Sequence, residues 1–339
     1  MAMRTNQDIP LSVGFDKLSG SIRVDDKEVQ KAIVSNLKLI AEGISNLTGY
    51  NSHHLLRTKG GYKFSIQLPL LEDIDYSRVK NGVPHLFVQV MPFASNRSFL
   101  RFELKGFPLS RSHYFWARCW LEKIIPIEHH DLLASDHILI THVDIAHDIE
   151  HDIDHMVFNF KNSQISGVFF NKQGGIGTCY FNQRKAQLQL TVYDRRANCK
   201  KKNLSHNGQE STRVEVKIKL NCKLADFAKR ILSLEYLNRI TIYDRQKCLA
   251  NLEASPFILR CIALQGLKAT LQMQPKPLRR KLQRQLEEYE LSILDANQVA
   301  EGLKKELCQL KGLMQEFSNR SGVASKPAIL RQEFKEKHG

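Results

Sequence analysis

Apolar residues recur at two different periods along the chain, and each period predicts a different kind of element. Between Lys27 and Leu47 they return every three or four residues, which predicts an amphipathic helix. Elsewhere apolar and polar residues alternate, or form short apolar runs bounded by Gly, Pro and Asn, which predicts β-strands of an antiparallel sheet. The predicted strands are 62–70, 84–91, 98–107, 137–148, 178–182, 188–195 and 212–220.

The order of these elements predicts the fold class. Helices are predicted at 114–125 and 151–161, between the strands, and most of the chain after 220 has a helical pattern. We therefore predict an α+β fold, with an antiparallel sheet domain over residues 1–235 and a helical extension over 236–275.

The C-terminal region carries a heptad-like pattern. From Leu286 to Phe317 the apolar positions alternate steps of three and four, which predicts a long amphipathic or coiled-coil helix within residues 276–320. Gly302 and Gly312 each weaken such a helix by about 1 kcal/mol relative to Ala, so a helical hairpin is an alternative. Self-association as a homodimer and packing within the chain both remain open, and residues 321–339 are expected to form a flexible basic tail.

Composition and charge narrow the class of protein. The chain has 339 residues and a net charge of +15, with 42% hydrophobic and 25% charged residues. Because no apolar run reaches the roughly 18–20 residues that cross a bilayer, and the first residues are polar, we expect a cytoplasmic protein without a membrane partner. The seven scattered cysteines show no metal or redox spacing and are expected to be reduced. The basic excess favours polyanion partners, nucleic acid first.

The polar sides of the predicted strands carry side chains that could take part in a reaction or hold a metal ion. Alternation places Glu103, Asp144, Glu215 and Tyr193 opposite the apolar sides of their strands. If these strands share one sheet, the carboxylates repel one another unless a divalent cation with oxygen ligands offsets their charge. The alternative is a solvated sheet face decorated by ordinary cross-strand ion pairs.

Five short segments, in this order, resemble a known family. They are FELKGFP (102–108), ITHVDIAHD (140–148), CYFN (179–182), LTVYDRR (190–196) and TRVEVKIK (212–219). Together they resemble the phage gene II/X replication proteins and, more loosely, the replication initiation factors of rolling-circle plasmids. The resemblance covers roughly residues 85–235. Proteins of this kind nick one DNA strand at an origin and become joined to its 5′ phosphate.

The resemblance implies roles for individual residues. Tyr193 would be the nucleophile, and Glu103, Asp144 and Glu215 would serve Mg²⁺ or Mn²⁺. The family commonly has an Arg two residues before the Asp that corresponds to Asp144. In this sequence His142 occupies that position, and we predict that it contacts DNA. The other implied DNA contacts are Arg195, Arg196, Lys200, Lys201, Lys202 and Arg213. The implied partners are single-stranded or supercoiled origin DNA and a host helicase.

Two other functions remain open at this point. The first is a non-catalytic origin-binding or transcription-regulating protein that uses the same basic sheet without needing Tyr193. The second is a metal hydrolase built on the polar run between His142 and His155, in which His147, His151 and His155 are spaced as on one helix face. The glycines at 174, 175 and 177 lack the following Lys-Ser or Lys-Thr of a phosphate loop and predict a hairpin turn.

Overall fold

The computed structural model describes residues 11–48, 56–70, 84–106, 109–163, 166–182, 186–201, 209 and 211–314. The strands are β1 (Leu11–Ile22), β2 (Tyr62–Pro69), β3 (His85–Pro92), β4 (Leu100–Lys105), β5 (Ile138–Ile149), β6 (Met156–Phe160), β7 (Ser166–Phe170), β8 (Ile176–Phe181), β9 (Leu188–Asp194), β10 (Thr212–Lys223) and β11 (Ile240–Asp244). The helices are α1 (Lys27–Thr48), α2 (Arg111–Ile124), α3 (Arg195–Lys201), α4 (Leu224–Ile231), α5 (Arg245–Asn251), α6 (Pro256–Gln265), α7 (Leu267–Gln272), α8 (Lys276–Glu287) and α9 (Ala296–Leu310). The predicted α+β class is confirmed.

The chain forms two compact units, each made of separate stretches of sequence. Of the described residues, those within 11–14, 144–219 and 232–303 form the Tyr193 unit, and those within 15–143, 220–231 and 304–314 form the α1 unit. Both units are discontinuous, whereas the sequence analysis predicted consecutive segments with a boundary at residue 235. Strand β5 begins in the α1 unit and ends in the Tyr193 unit.

Among its described residues, the α1 unit combines an antiparallel sheet with helices α1, α2 and α4. Its strands follow the order β2-β3-β4-β1-β5. Helix α1 forms as predicted and buries one apolar stripe, whose members are Val29, Ile33, Leu37, Ile40 and Ile44. Helix α2 begins at a capping box, in which the Ser110 side chain accepts a hydrogen bond from the backbone of His113 and the His113 ring accepts one from the backbone of Ser110.

The Tyr193 unit has its own sheet order and its own apolar core. In this sheet the strands lie side by side in the order β5, β10, β9, β8 and β7. Strands β11 and β6 form a separate two-stranded sheet. Alternate residues of the central strands are buried on one side of the sheet, namely Cys179, Phe181, Leu190, Val192, Val214 and Val216. Helices α5 to α8 and strands β6 and β11 contribute to a second cluster that includes Tyr243, Cys248, Leu252, Ile262 and Leu282.

Two elements differ from the sequence prediction in this unit. The helix predicted at 151–161 is wrong, because the segment forms a 3-10 turn at Ile153–His155 and then strand β6. Strand β6 is an almost continuous apolar run, which is typical of a strand covered on both sides. It pairs with β11. Strand β11 was not predicted, because the chain after residue 220 has a helical pattern. The hairpin turn predicted around Gly174 is confirmed, with Asn171 and Gly175 paired across it.

The long C-terminal helix is divided in two. Helix α8 ends at Glu287 and α9 begins at Ala296, after Asp295 accepts hydrogen bonds from the backbone N–H groups of Asn297 and Gln298. One continuous helix is therefore wrong for this segment. A Cβ on Gly312 would lie 2.4 Å from the Arg111 carbonyl oxygen, so this glycine allows the chain to pack closely on α2. The predicted tail at 321–339 lies outside the described residues, and the homodimer stays a prediction.

Two expectations from composition can be compared with the structure. Each of the seven cysteines is a free thiol, which confirms that prediction. Among the helices that the structure describes, none is both long and apolar enough to cross a membrane.

Candidate functional site

Tyr193 lies on the polar side of strand β9, one residue before the strand ends. Leu190 and Val192 are buried on the opposite side, so alternation turns Thr191 and Tyr193 the other way, where both are half-buried. In the antiparallel pairing with β10, Tyr193 is opposite Arg213, and Thr191 is opposite Glu215. Tyr193, Arg213 and Glu215 therefore share one face of the sheet, as the sequence predicted for each strand.

The hydroxyl of Tyr193 contacts a carboxylate on this face. It donates a hydrogen bond to Oε2 of Glu215 over 3.4 Å, along the diagonal between the two strands. A phenol is a weak nucleophile while it holds its proton, because its ordinary pKa is about 10. A carboxylate in this position can receive the phenolic proton, which is the role of a general base.

Two arginines beside Tyr193 share one buried aspartate. The guanidinium of Arg213 donates from Nε to Oδ1 of Asp148 at 2.6 Å and from Nη2 to Oδ2 at 2.9 Å. Arg195, the second residue after Tyr193, forms an ion pair with the same carboxylate. Two positive charges and one negative charge leave an excess of one positive charge at this end of β9, which suits a phosphate ligand.

A short helix carries further basic side chains directly after Tyr193. Asp194 begins the turn into α3, since its side chain accepts a hydrogen bond from the backbone N–H of Ala197 at 2.9 Å. Arg196 is exposed and donates to the carbonyl oxygen of Gln209, while Lys200 and Lys201 extend into solvent at the end of the helix. The structure thus places three exposed cations on the segment that follows the tyrosine, and the predicted contact Lys202 lies outside the described residues.

The predicted DNA contacts therefore differ in their exposure and in their partners. Arg196, Lys200 and Lys201 are exposed, as a phosphate-binding role requires. Arg213 is only 8% exposed, and both it and Arg195 hold Asp148. His142 is half-buried on β5 in the α1 unit. Contact with DNA stays a prediction for each of these residues.

The three predicted metal ligands have different surroundings. Glu103 lies in the α1 unit, where Arg101 donates to its Oε2 at 2.6 Å and Lys17 approaches its Oε1 to 3.9 Å. Asp144 is buried on β5, and Glu215 accepts the bond from Tyr193. Among the residues that the structure describes, no group of three His, Cys, Asp or Glu side chains is placed to hold a metal ion. These carboxylates therefore form no preassembled metal centre, and their role as ligands stays a prediction.

The histidine-rich run does not lie along one helix face. His147 is in strand β5, and His155 ends the 3-10 turn that precedes β6. His147 is fully buried, with its ring nitrogens near the carbonyl oxygen of Val214 and the hydroxyl of Tyr236, and burial lowers its pKa to about 4. It is thus a neutral core residue at pH 7. The helical spacing behind the hydrolase hypothesis is wrong, because the segment is not helical.

One feature that the sequence analysis missed is a second copy of the tyrosine segment. Residues 191–195 are TVYDR and residues 241–245 are TIYDR, and each copy is the end of a strand followed by a helix. In the second copy Asp244 accepts from the backbone N–H of Lys247 at 3.0 Å, as Asp194 accepts from Ala197 in the first. Comparing the two segments directly would have revealed this repeat.

The two copies differ in the environment of the tyrosine. Tyr243 is 8% exposed within the apolar cluster of the helices, and burial raises its pKa. A raised pKa disfavours the phenolate that nucleophilic attack requires. The five-residue sequence shared by the two copies is therefore not sufficient to make its tyrosine a nucleophile. Tyr193 differs from Tyr243 in its partial exposure and in its contact with Glu215.

Comparisons with known proteins give similarity to solved structures. No protein-family model matches the chain, and no curated protein matches it either. Among solved structures, a rolling circle replication initiator protein from Geobacillus stearothermophilus is similar at 15% sequence identity, with 76% of this chain and 99% of that chain covered and a TM-score of 0.35. Similarity at this level does not assign residues or chemistry to the chain.

Proposed function

We propose that this protein initiates rolling-circle DNA replication by nicking one strand of origin DNA with Tyr193. The observation that carries the proposal is the hydrogen bond from the Tyr193 hydroxyl to Glu215, on the sheet face that also holds Arg213. The order of motifs in the sequence supports the same function. The substrate would be single-stranded or supercoiled origin DNA, whose phosphates suit the basic side chains after Tyr193.

The proposed reaction transfers a phosphoryl group to the tyrosine. The Tyr193 oxygen attacks the scissile phosphorus while its proton passes to Oε2 of Glu215. The new bond joins the tyrosine oxygen to phosphorus as the bond from phosphorus to the 3′ oxygen breaks. The 5′ phosphate then stays on Tyr193, and the departing 3′ oxygen takes a proton from water. Positive charge from the neighbouring arginines would stabilise the charge that builds on the phosphoryl oxygens.

The basic helix would position the strand for this attack. Arg196, Lys200 and Lys201 lie on one short helix that begins two residues after Tyr193 and are exposed. Contacts to phosphates fix the register of a strand without reading its sequence. The host helicase and the homodimer remain predictions that this site does not address.

A divalent cation, Mg²⁺ or Mn²⁺, is kept as a proposed cofactor. Magnesium is commonly held by one or two carboxylates together with substrate phosphates, so a preassembled group of three ligands is not required. Asp144 and Glu215, both in the Tyr193 unit, are the carboxylates that would serve it, and Glu103, which lies in the α1 unit, stays a prediction from the sequence. When bound, the ion would polarise the scissile phosphate. Excess EDTA should then stop adduct formation while leaving DNA binding intact, and full activity in EDTA would remove the cation from the proposal.

The test of the nucleophile is a covalent adduct. Purified protein is incubated with Mn²⁺ and replicon DNA, and SDS-resistant, protease-sensitive complexes are mapped by mass spectrometry. We expect the adduct on Tyr193, none in Tyr193→Phe, and the wild-type amount in the matched variant Tyr243→Phe. An adduct that persists in Tyr193→Phe would contradict the assignment.

A non-catalytic DNA-binding protein is the second candidate function. The observation that favours it is the absence, within the described part of the chain, of a grouped set of metal ligands. Such a protein would bind origin DNA with the same basic segment and would not need the Tyr193 hydroxyl. Salt-sensitive binding without any adduct, equal in wild type and Tyr193→Phe, would select this function over nicking.

A further inference from the structure

We propose that Phe169 and Tyr180 form a platform on which the bases of single-stranded DNA stack beside Tyr193. This inference rests on the proposed function for its link to the scissile phosphate, but the binding that it describes can be measured without the reaction. Both residues lie in the Tyr193 unit, on β7 and β8.

Strand register places the two rings on the same face as Tyr193. Phe169 is opposite Thr178, and Thr178 is opposite Tyr193, across the successive pairs β7–β8 and β8–β9. Tyr180 is two residues from Thr178 along β8, so alternation returns its side chain to the same face. Tyr180 is thus a diagonal neighbour of Tyr193, at a Cα separation of about 7–8 Å for such pairs.

The two rings are exposed although the opposite face of β8 supplies the core. Phe169 is 60% exposed and Tyr180 is 48% exposed, whereas Cys179 and Phe181, the residues before and after Tyr180, are buried. The Phe169 and Tyr180 rings contact each other edge to face, with centroids 5.6 Å apart. Strand β7 is the last in the order of this sheet, so none of the strands that the structure describes lies beyond Phe169 on that side. Two adjacent exposed aromatic rings are a surface that a flat apolar ligand can cover.

The charge around the platform selects a polyanion as that ligand. The described residues of the segment 166–201, which includes β7, β8, β9 and α3, contain five Lys or Arg residues and one Asp, a net charge of +4. One acidic neighbour, Asp154, accepts from the backbone N–H of Ile176 and is paired with Arg245 at 3.7 Å. Exposed aromatic rings combined with dispersed positive charge match the chemistry of a single strand, which offers free base faces and phosphates together.

The platform would discriminate single-stranded DNA from duplex. In a duplex the bases already stack on one another, so their faces are closed to Phe169 and Tyr180. In a single strand, a nucleotide next to the scissile phosphate at Tyr193 lies within reach of Tyr180, the diagonal neighbour of Tyr193. Stacking of this kind tolerates any base, so the platform would contribute affinity and placement rather than sequence selectivity.

The test measures binding in a Tyr193→Phe background, where no adduct can form. Fluorescence anisotropy with a labelled oligothymidylate gives the Kd, and a hairpin duplex of equal charge serves as the comparison. We expect Phe169→Ala and Tyr180→Ala each to weaken single-strand binding about ten-fold, with little change for the duplex. Tyr180→Phe, which keeps the ring and removes the hydroxyl, should bind like its parent. Phe93→Ala removes an aromatic ring that is 68% exposed in the α1 unit and should have no effect.

These binding measurements test the platform independently of the nicking reaction. An unchanged Kd in Phe169→Ala would overturn it, as would an equal loss for single strand and duplex. A loss in Tyr180→Phe as large as in Tyr180→Ala would assign Tyr180 a hydroxyl role and also overturn stacking. If the alanine variants lose affinity while wild-type protein forms no adduct, the platform stands and the proposed nicking function fails.

Discussion

Arg213 holds Asp148 with two parallel hydrogen bonds, from Nε at 2.6 Å and from Nη2 at 2.9 Å. The aspartate is fully buried, and Arg195 engages the same carboxylate from the start of α3. This pairing ties strand β10 and helix α3 to the end of β5. Tyr193 is opposite Arg213 and is separated from Arg195 by one residue, so its position depends on this cluster.

Removing the shared carboxylate should destabilise the fold. Asp148→Ala leaves two guanidinium groups without their buried counter-ion, and we expect the free energy of unfolding to fall by about 3–5 kcal/mol. Urea denaturation followed by circular dichroism measures this change. Asp152→Asn, at an exposed position just after β5, should stay within about 0.5 kcal/mol of wild type. A comparably small effect of Asp148→Ala would show that the cluster contributes little to stability.

Removing the proposed base should slow the reaction without weakening binding. Glu215→Gln preserves the shape of the side chain and an acceptor for Tyr193, but it cannot take the phenolic proton. We expect the rate of adduct formation to fall about 10²–10⁴-fold at neutral pH, with an unchanged Kd for DNA. Single-turnover kinetics provide the rate. Glu235→Gln, an exposed carboxylate in the same unit, is the control, and a wild-type rate in Glu215→Gln would exclude the base role.

The exposed cations of α3 should set the salt dependence of binding. Each lost phosphate contact on a single strand lowers the slope of log K against log salt by about 0.7. The variant with Arg196, Lys200 and Lys201 all changed to Gln should therefore lose about two units of slope in anisotropy titrations. Lys31→Gln, in an exposed pair with Glu28 on α1, should keep the wild-type slope. If the triple variant also keeps it, α3 does not contact the phosphates.

A buried carboxyl in the α1 unit should make stability depend on pH. Oε2 of Glu306 lies 3.5 Å from the backbone nitrogen of Phe15, and burial raises the pKa of this carboxyl to about 7. The folded state therefore keeps the proton at pH values where the unfolded state has released it. Since the unfolded state then binds fewer protons, stability falls as the pH rises from about 4.5 to about 7.

Glu306→Gln should remove this dependence. We expect the variant to be more stable than wild type at pH 8 by about 1–2 kcal/mol, less than the full shift implies because water still reaches the carboxylate. At pH 4.5 the two proteins should unfold alike in urea. Glu287→Gln, at an exposed position on α8, should change stability little at either pH. A Glu306→Gln protein that gains nothing at pH 8 would contradict the raised pKa.

The alternation of apolar and polar residues along each strand predicts which side chains of the site lie on the polar face of the sheet. Val192 and Val214 are buried, and Tyr193 and Glu215 face the other way, because the side-chain period of a strand is a local property. The partner of each side chain depends on the register between strands. Alternation could therefore predict that Arg213 lies on the polar side of β10, but it could not reveal that Arg213 is buried and pairs with Asp148.

The misplaced elements have a similar physical cause. Strands β6 and β11 have five residues each, and β6 is covered on both sides, so neither shows a long alternation that would separate it from a helix. The apolar steps of three and four from Leu286 to Phe317 indicated helix correctly over most of their length. They could not show the interruption at 288–295, which separates α8 from α9.

The repeated TVYDR and TIYDR segments give this chain an internal reference for tyrosine reactivity. Two tyrosines with nearly the same sequence neighbours differ in access to solvent and in the contact of Tyr193 with Glu215, so the intrinsic effects of those neighbours largely cancel between them. A reagent that modifies phenolate should label Tyr193 before Tyr243 within the same molecule, under one set of conditions. The ratio of the two labels therefore reports on the environment of Tyr193 independently of protein concentration, reagent strength or the fraction of active protein.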